Sequence, residues 1–287
     1  MRMIKNKKLL FRIIISVLFL IFLFIIVKPT QIVSTLKRAD TTWVLLIFLL
    51  LPINILFQFI RWRYLVKSCV DEVDNKEIIQ SIFYSFSYSI FTPARLGDIG
   101  RAFHITHEKK KELVAFAVYE KLFAFISILM LGMIALTVYQ HILFILGAII
   151  PVLILIFSNR ITAKIPKVKY HIKKLKRVNP FGLFIISVLF VYIYAIQFYF
   201  ALNAFCSIPF LKSFFLIILV IFFNSIPITL SGLGVREVLS VYFFENLGVA
   251  AAEAAGASLL IFFINILIPT FIGFILHLIP KNKTSAA

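Results

Sequence analysis

The sequence predicts an all-α, polytopic membrane protein of about seven or eight transmembrane helices, with two broken or re-entrant segments and an inverted repeat as the expected symmetry. Three observations lead there. Hydrophobic residues make up 62% of the 287, well above the roughly 45–50% of a soluble domain, and the mean hydropathy is +1.03. Apolar runs of spanning length follow one another, with the charges between them. Two places interrupt that pattern with glycine, proline and charge. Too few polar residues remain to clothe a soluble core, so residues 1–287 are read as a single membrane domain.

Residues 9–27 open the chain as an apolar run preceded by Arg2, Lys5, Lys7 and Lys8. Its 19 residues reach about 29 Å as a helix, enough to span and longer than a signal peptide core. A second span is expected over 43–60, closed by an interfacial anchor, Arg61-Trp62-Arg63-Tyr64. Residues 78–91 are too short to cross and are rich in Ser and Tyr, which suits a re-entrant segment. A long span over 113–138 carries Glu120 and Lys121, a short one covers 142–157, and two more follow over 181–205 and 211–228. Glu245 and Glu253 mark a connection, and 257–279 form the last span.

The charges suggest an orientation and exclude other classes. Lys and Arg total 30 against 12 acids, net +18. In a soluble protein this would point to nucleic acid, but placed between apolar runs it reads as loop charge facing anionic lipid heads. The loop 160–177 is strongly basic and is expected inside, as are both termini, the C-terminus through Lys281 and Lys283. Lys28, Lys37 and Arg38 run against this topology, which puts them outside. Two distant cysteines, Cys69 and Cys206, make neither a disulfide framework nor a zinc site. His104, His107 and Glu108 lack a third ligand at fixed spacing and read as a solvated loop. No metal, cofactor or enzymatic motif is expected, and Asn54, Asn224 and Asn265 read as interhelical hydrogen-bond partners.

The two interruptions carry the functional expectation. One is Pro93–Arg101 and the other Ser231–Glu237; their Leu-Gly pairs, Leu96-Gly97 and Leu233-Gly234, lie 137 residues apart, about half the chain. Paired broken segments in two halves point to a transporter's binding site. The glycines Gly97, Gly232 and Gly234 would turn the chain and expose backbone N–H groups. Arg95, Arg101 and Arg236 would grip a phosphate, and Asp98 and Glu237 would hold the arginines or exchange protons. Bland readings stand beside these: Arg95 and Arg101 as interface charges, Arg236-Glu237 as a neutralised pair. Glu120 sits seven residues into its span, about 10 Å along the axis, a costly place for a carboxylate without a role. Lys121 points about 100° away from it, so the two need not pair with each other.

At these residues the chain resembles the transmembrane region of lysylphosphatidylglycerol synthase, the flippase-like integral membrane family. Four stretches carry the resemblance: Pro93-x-Arg95-Leu96-Gly97-Asp98-x-x-Arg101; Glu120-Lys121; Ile226-Pro227-x-x-x-Ser231-Gly232-Leu233-Gly234-Val235-Arg236-Glu237; and Leu247-Gly248-Val249 before an Ala-rich helix start. The resemblance implies a translocase for an anionic membrane phospholipid or a polyprenyl-phosphate lipid. The alternative is an accessory subunit that anchors a separate glycosyl- or aminoacyl-transferase. Relatives fuse this region to such a domain; here seven residues follow Pro280, so lysyl transfer is not expected of this chain. Where the family often has a second acid a turn beyond the acidic–basic pair, this chain has Ala124, which weakens the case for Glu120 in proton coupling.

Overall fold

The computed structural model describes residues 27–70, 72–92, 95–139 and 178–279, with isolated positions in 21–25 and 147–153. Most of the expected first span, the short span over 142–157, the basic loop 160–177, Pro93, Ala94, Lys281 and Lys283 lie outside the described residues. The described part is entirely helical. It comprises α1 (Pro29–Lys37), α2 (Thr41–Cys69), α3 (Asn75–Ser89), a 3₁₀ helix (Leu96–His104), α4 (Lys110–Tyr139), α5 (Pro180–Asn203), α6 (Phe210–Asn224), α7 (Val235–Glu245) and α8 (Ala251–Leu278). The last helix changes to a π-turn at Phe263–Leu267.

Helices α2, α4, α5 and α8 are long and apolar enough to cross a membrane. Their ends are chemically marked. Asp40 caps α2 by accepting from the Thr42 N–H at 2.7 Å, and Asn179 caps α5 ahead of Pro180. The Asn179 N–H donates to the Tyr64 hydroxyl and the Asp40 N–H to the Ala204 carbonyl, so α2 and α5 are antiparallel. One end of the bundle (face A) therefore holds Thr41 and Ala204, and the other (face B) holds Cys69 and Asn179. Both cysteines are free; at face A, burial and then Glu253 push the Cys206 thiol up to about 12.

Between the spanning helices sit two hairpins that enter from opposite faces. From face B, α3 descends, the chain turns at Arg95, and the 3₁₀ helix returns before α4 crosses. From face A, α6 descends, the chain turns at Ser231, and α7 returns before α8 crosses. The halves match in element length, at 15, 9 and 30 residues against 15, 11 and 28. Their starts are offset by 135, 139 and 141 residues (75 to 210, 96 to 235, 110 to 251). Both turns use a non-glycine residue at positive φ, Arg95 at 54° and Ser231 at 49°. This is the arrangement of an inverted repeat.

The hairpin tips meet. Ser231 Oγ donates to the Ser89 carbonyl at 2.9 Å, with the Ile90 carbonyl at 3.2 Å, and the Ser231 N–H reaches the Thr92 carbonyl at 3.4 Å. Backbone freed by each break is thus satisfied by the opposite hairpin, as a low-dielectric interior requires.

The sequence reading needs one main correction. The second helix does not end at an interfacial anchor near residue 60; it runs to Cys69, with Arg61 and Trp62 buried. Trp62 donates its indole N–H to Ser81 Oγ of α3 at 3.0 Å. Similarly, α8 begins at Ala251, so Glu253 lies in its first turn rather than in a connection.

Candidate functional site

A cavity of about 610 Å³ lies between α2, α4, α5, both hairpins and the π-turn of α8. Five cations line it: Arg61, Arg95, Arg101, Lys121 and Arg236. Asp98, Glu120 and Gly232 line it as well. Of the ten residues singled out from the sequence, the structure brings seven to this one hollow. Gly97, Gly234 and Glu237 stand behind it.

Glu120 is the hub of one ionic unit. Its carboxylate, almost fully buried, accepts from Arg61 of α2 and from Arg101 of the 3₁₀ helix, each at 3.1 Å. Arg61 is anchored further by Ser187 Oγ at 3.3 Å, and Arg101 by the Asp98 carbonyl at 2.8 Å. Asp98 is the centre of a second unit. Lys121 Nζ donates to it at 2.9 Å, Arg95 lies at 3.5 Å, and Ser89 Oγ donates to the same carboxylate. Glu120 and Lys121 therefore ignore each other, as the helical spacing predicts, and pair into two neighbouring clusters.

The third unit belongs to the second hairpin. Arg236 donates to Glu237 at 2.7 Å and to Ser258 Oγ at 2.8 Å, and Ser258 donates to the same Glu237 oxygen at 2.8 Å. The other Glu237 oxygen accepts from the Gly234 N–H at 2.6 Å and fixes the start of α7.

Each arginine also lies over an aromatic ring. Arg61 sits 4.9 Å from the Phe190 centroid, Arg95 4.6 Å from Phe86, Arg101 5.4 Å from Trp62 and Arg236 5.3 Å from Phe262. The rings shield the guanidinium planes and hold them in position. Lys121 and Arg95 keep the most open side chains, at 31% and 23% exposure, so they are the cations most able to accept a new partner.

Gly232 at φ 77° and Gly234 at φ 84° turn the chain as expected, but the N–H groups of Gly97 and Gly234 are not free for a ligand. The N–H of Gly97 is already donated to Thr92 Oγ1 at 2.7 Å, and that of Gly234 to Glu237. Gly97 is needed for closeness: a Cβ there would lie within 2.7 Å of the backbone of Tyr88 and Ser89. Gly232 lines the cavity at φ 77°, with Asn224 where a Cβ would stand. Sequence reasoning passed over Arg61, Gln58 and Gln197. The signal was present for the first two: Asn54, Gln58 and Arg61 are buried at i, i+4 and i+7 on one face of an otherwise apolar helix. His104 faces no metal cluster among the described residues; it meets the Tyr88 hydroxyl at 3.1 Å and stacks on Tyr84.

The cavity's rim is exposed and apolar. Val118, Leu122 and Phe125 form an exposed i, i+4, i+7 stripe on α4, beside exposed Leu96. A separate groove of about 710 Å³ between α4, α6 and α7 is lined almost wholly by apolar side chains and carries none of these charges.

The family model described as the lysylphosphatidylglycerol synthase TM region matches residues 9–273. No curated protein matches the chain.

Proposed function

The chain belongs to the lysylphosphatidylglycerol synthase transmembrane-region family, and from that premise we propose that it is a translocase that carries the headgroup of an anionic, phosphate-bearing lipid through this cavity. Membership makes it a membrane protein of lipid-related function; the translocation step is our reading. The observation that carries it is the charge balance. Five cations face or line one buried hollow against three carboxylates, Asp98, Glu120 and Glu237, among the described residues. Each uncompensated charge at this depth costs roughly 2.5–3.5 kcal/mol on insertion scales, so the surplus favours an anionic occupant.

The apolar rim supports the same reading. A lipid can leave its acyl chains beside Val118, Leu122 and Phe125 while its phosphate reaches Lys121 and Arg95. The headgroup then never crosses hydrocarbon unaccompanied. Access alternates as each hairpin shifts against the tip of the other, one uncovering the cavity toward face A and the other toward face B. The sequence carries no nucleotide-binding motif, so transport runs downhill or is coupled to protons or to the membrane potential, the last worth about 2.3 kcal/mol per charge per 100 mV. In this role the chain is a carrier and not an enzyme, its termini cytoplasmic in the cell membrane.

The test is reconstitution into liposomes containing tail-labelled phosphatidylglycerol, with flipping read by quenching of the outer leaflet. Arg95→Gln and Lys121→Gln each leave Asp98 one cation, so folding is retained. Each is expected to slow flipping about tenfold, the worth of one charge-assisted hydrogen bond. Folded protein with rates equal to protein-free liposomes across several anionic lipids would overturn the proposal. Co-purification with a transferase in that case would instead make the chain its membrane anchor.

A further inference from the structure

Above the charged layer, at mid-depth, the cavity is lined by amides whose orientation is fixed. Pro52 interrupts the hydrogen-bond ladder of α2, and the nearby Ile47 carbonyl accepts from Gln197 Nε2 at 3.1 Å. A backbone carbonyl can only accept, so Gln197 must present its nitrogen there and turn its oxygen the other way. That oxygen receives the Asn54 amide at 2.5 Å and the Asn265 amide at 3.0 Å. Both asparagines must therefore offer nitrogen to Gln197, which leaves both Oδ1 atoms without a partner among the described residues. Asn54 and Asn265 are more than nine-tenths buried and both line the cavity. Asn224, beside Gly232, adds a third cavity-lining amide, whose Oδ1 has no partner among the described residues and whose orientation no neighbouring hydrogen bond sets.

Two fixed bare carbonyl acceptors in one buried hollow, with a third amide beside them, are an unusual expense, because a buried unsatisfied polar group costs about 1–3 kcal/mol. The backbone is specialised to place two of them. Asn265 sits in the π-turn of α8, a kind of irregular turn that concentrates at functional sites, and Asn54 two residues beyond Pro52 in α2. Asn54 lies 13 residues from Thr41 and Asn265 14 from Ala251, each about 20 Å into its helix. The cationic layer at Arg61 lies two turns further along α2, about 10 Å away.

We propose that this amide layer reads hydroxyl groups on the lipid headgroup, so that the cavity selects phosphodiester lipids bearing a polyol, such as glycerol or a sugar ring, over a bare phosphomonoester lipid. The inference rests on the translocase reading of the same cavity. Hydroxyls supply the donors that these amide oxygens lack. An ammonium group would supply donors too, but would enter a hollow lined by five cations and two carboxylates, with Glu237 behind it.

The experiment is a binding measurement on the purified full chain in detergent, so that it does not depend on flipping. Short-chain phosphatidylglycerol, phosphatidylinositol and phosphatidic acid of matched tails are compared by calorimetry. Phosphatidic acid carries at least as much negative charge as the other two, so a preference against it isolates the hydroxyl contribution. Both polyol lipids are expected to bind about tenfold more tightly than phosphatidic acid. The order of the two reports whether a ring or a glycerol fits better. Asn54→Leu and Asn265→Leu, each leaving the other amide on Gln197, should erase most of that preference while phosphatidic acid affinity stays level. Equal or tighter binding of phosphatidic acid, or a preference that survives both substitutions, would overturn the inference. Polyol selection without any flipping would leave it standing and bring down translocation alone.

Discussion

The two hairpins are built to one plan and charged to different ends. Each places a short helix, a turn at positive φ and a return helix in front of a spanning helix. The second hairpin closes its charge on itself, since Arg236 and Glu237 are neighbours in sequence and Ser258 ties both. The first hairpin sends its charges outward. Arg101 reaches Glu120 and Asp98 reaches Lys121, both on α4, while Glu120 also holds Arg61 of α2. An ion pair closed within α7, with the Ser258 hydroxyl of α8 as its neutral tie, keeps its charge balance whatever its neighbours do, whereas ion pairs shared between elements let their spacing respond to whatever sits between them. The comparison makes the second hairpin the stiffer half of the cavity and the first the more responsive half.

The largest expected effect tests whether these are separate electrostatic units. Glu120→Ala leaves Arg61 and Arg101 buried without their carboxylate and should cost about 3–5 kcal/mol, as should Glu237→Ala for Arg236. Thermal unfolding in detergent measures both. The informative step is rescue: Arg236→Met should restore much of the stability lost in Glu237→Ala and none of that lost in Glu120→Ala, while Arg61→Met should do the reverse. Cross-rescue would mean one continuous network and would dissolve the distinction between the hairpins.

A smaller effect tests what holds the first hairpin's turn, with a loosely packed glycine of α8 as the reference. The first depends on closeness, with Gly97 pressed on the Tyr88–Ser89 backbone, and Gly97→Ala should cost about 1–3 kcal/mol by forcing the 3₁₀ helix off α3. Gly256→Ala, where the nearest atoms are 3.7 Å away, should leave unfolding within about 0.5 kcal/mol of the parent. If the two variants unfold alike, tight contact is not what holds the first hairpin together.

Much of this was legible in the amino-acid order. Apolar runs give the spans, because hydrocarbon leaves a helix few alternatives. The breaks at Arg95 and Ser231 announce themselves by glycine and charge inside apolar surroundings. The partner assignments were less legible. Arg61 stands in Arg-Trp-Arg-Tyr, which looks like an interfacial anchor, and only the Asn54–Gln58–Arg61 stripe argues that it faces inward. The amide layer was visible as three asparagines in apolar runs, but its chemistry depends on Gln197 and on the relative rotation of α2, α5 and α8, which no local pattern encodes. Gly97 and Gly234 were read as N–H donors to a ligand because sequence shows a glycine's freedom and not whether its N–H is already used.

The smallest effect tests the contact between the halves. Ser231 joins the hairpin tips through its hydroxyl while holding a strained φ of 49°. Ser231→Ala loses the bond and keeps the strain, at about 1 kcal/mol. Ser231→Gly loses the bond but relieves a strain worth about 1–2 kcal/mol, so it should unfold near the parent temperature. If the tips separate during transport, both variants should flip lipid faster than the parent, because the bond exists only while they are joined. The two substitutions differ in stability and agree in this bond. A shared rise in rate would locate the moving interface at the tips, and unchanged rates in both would place the motion elsewhere in the repeat.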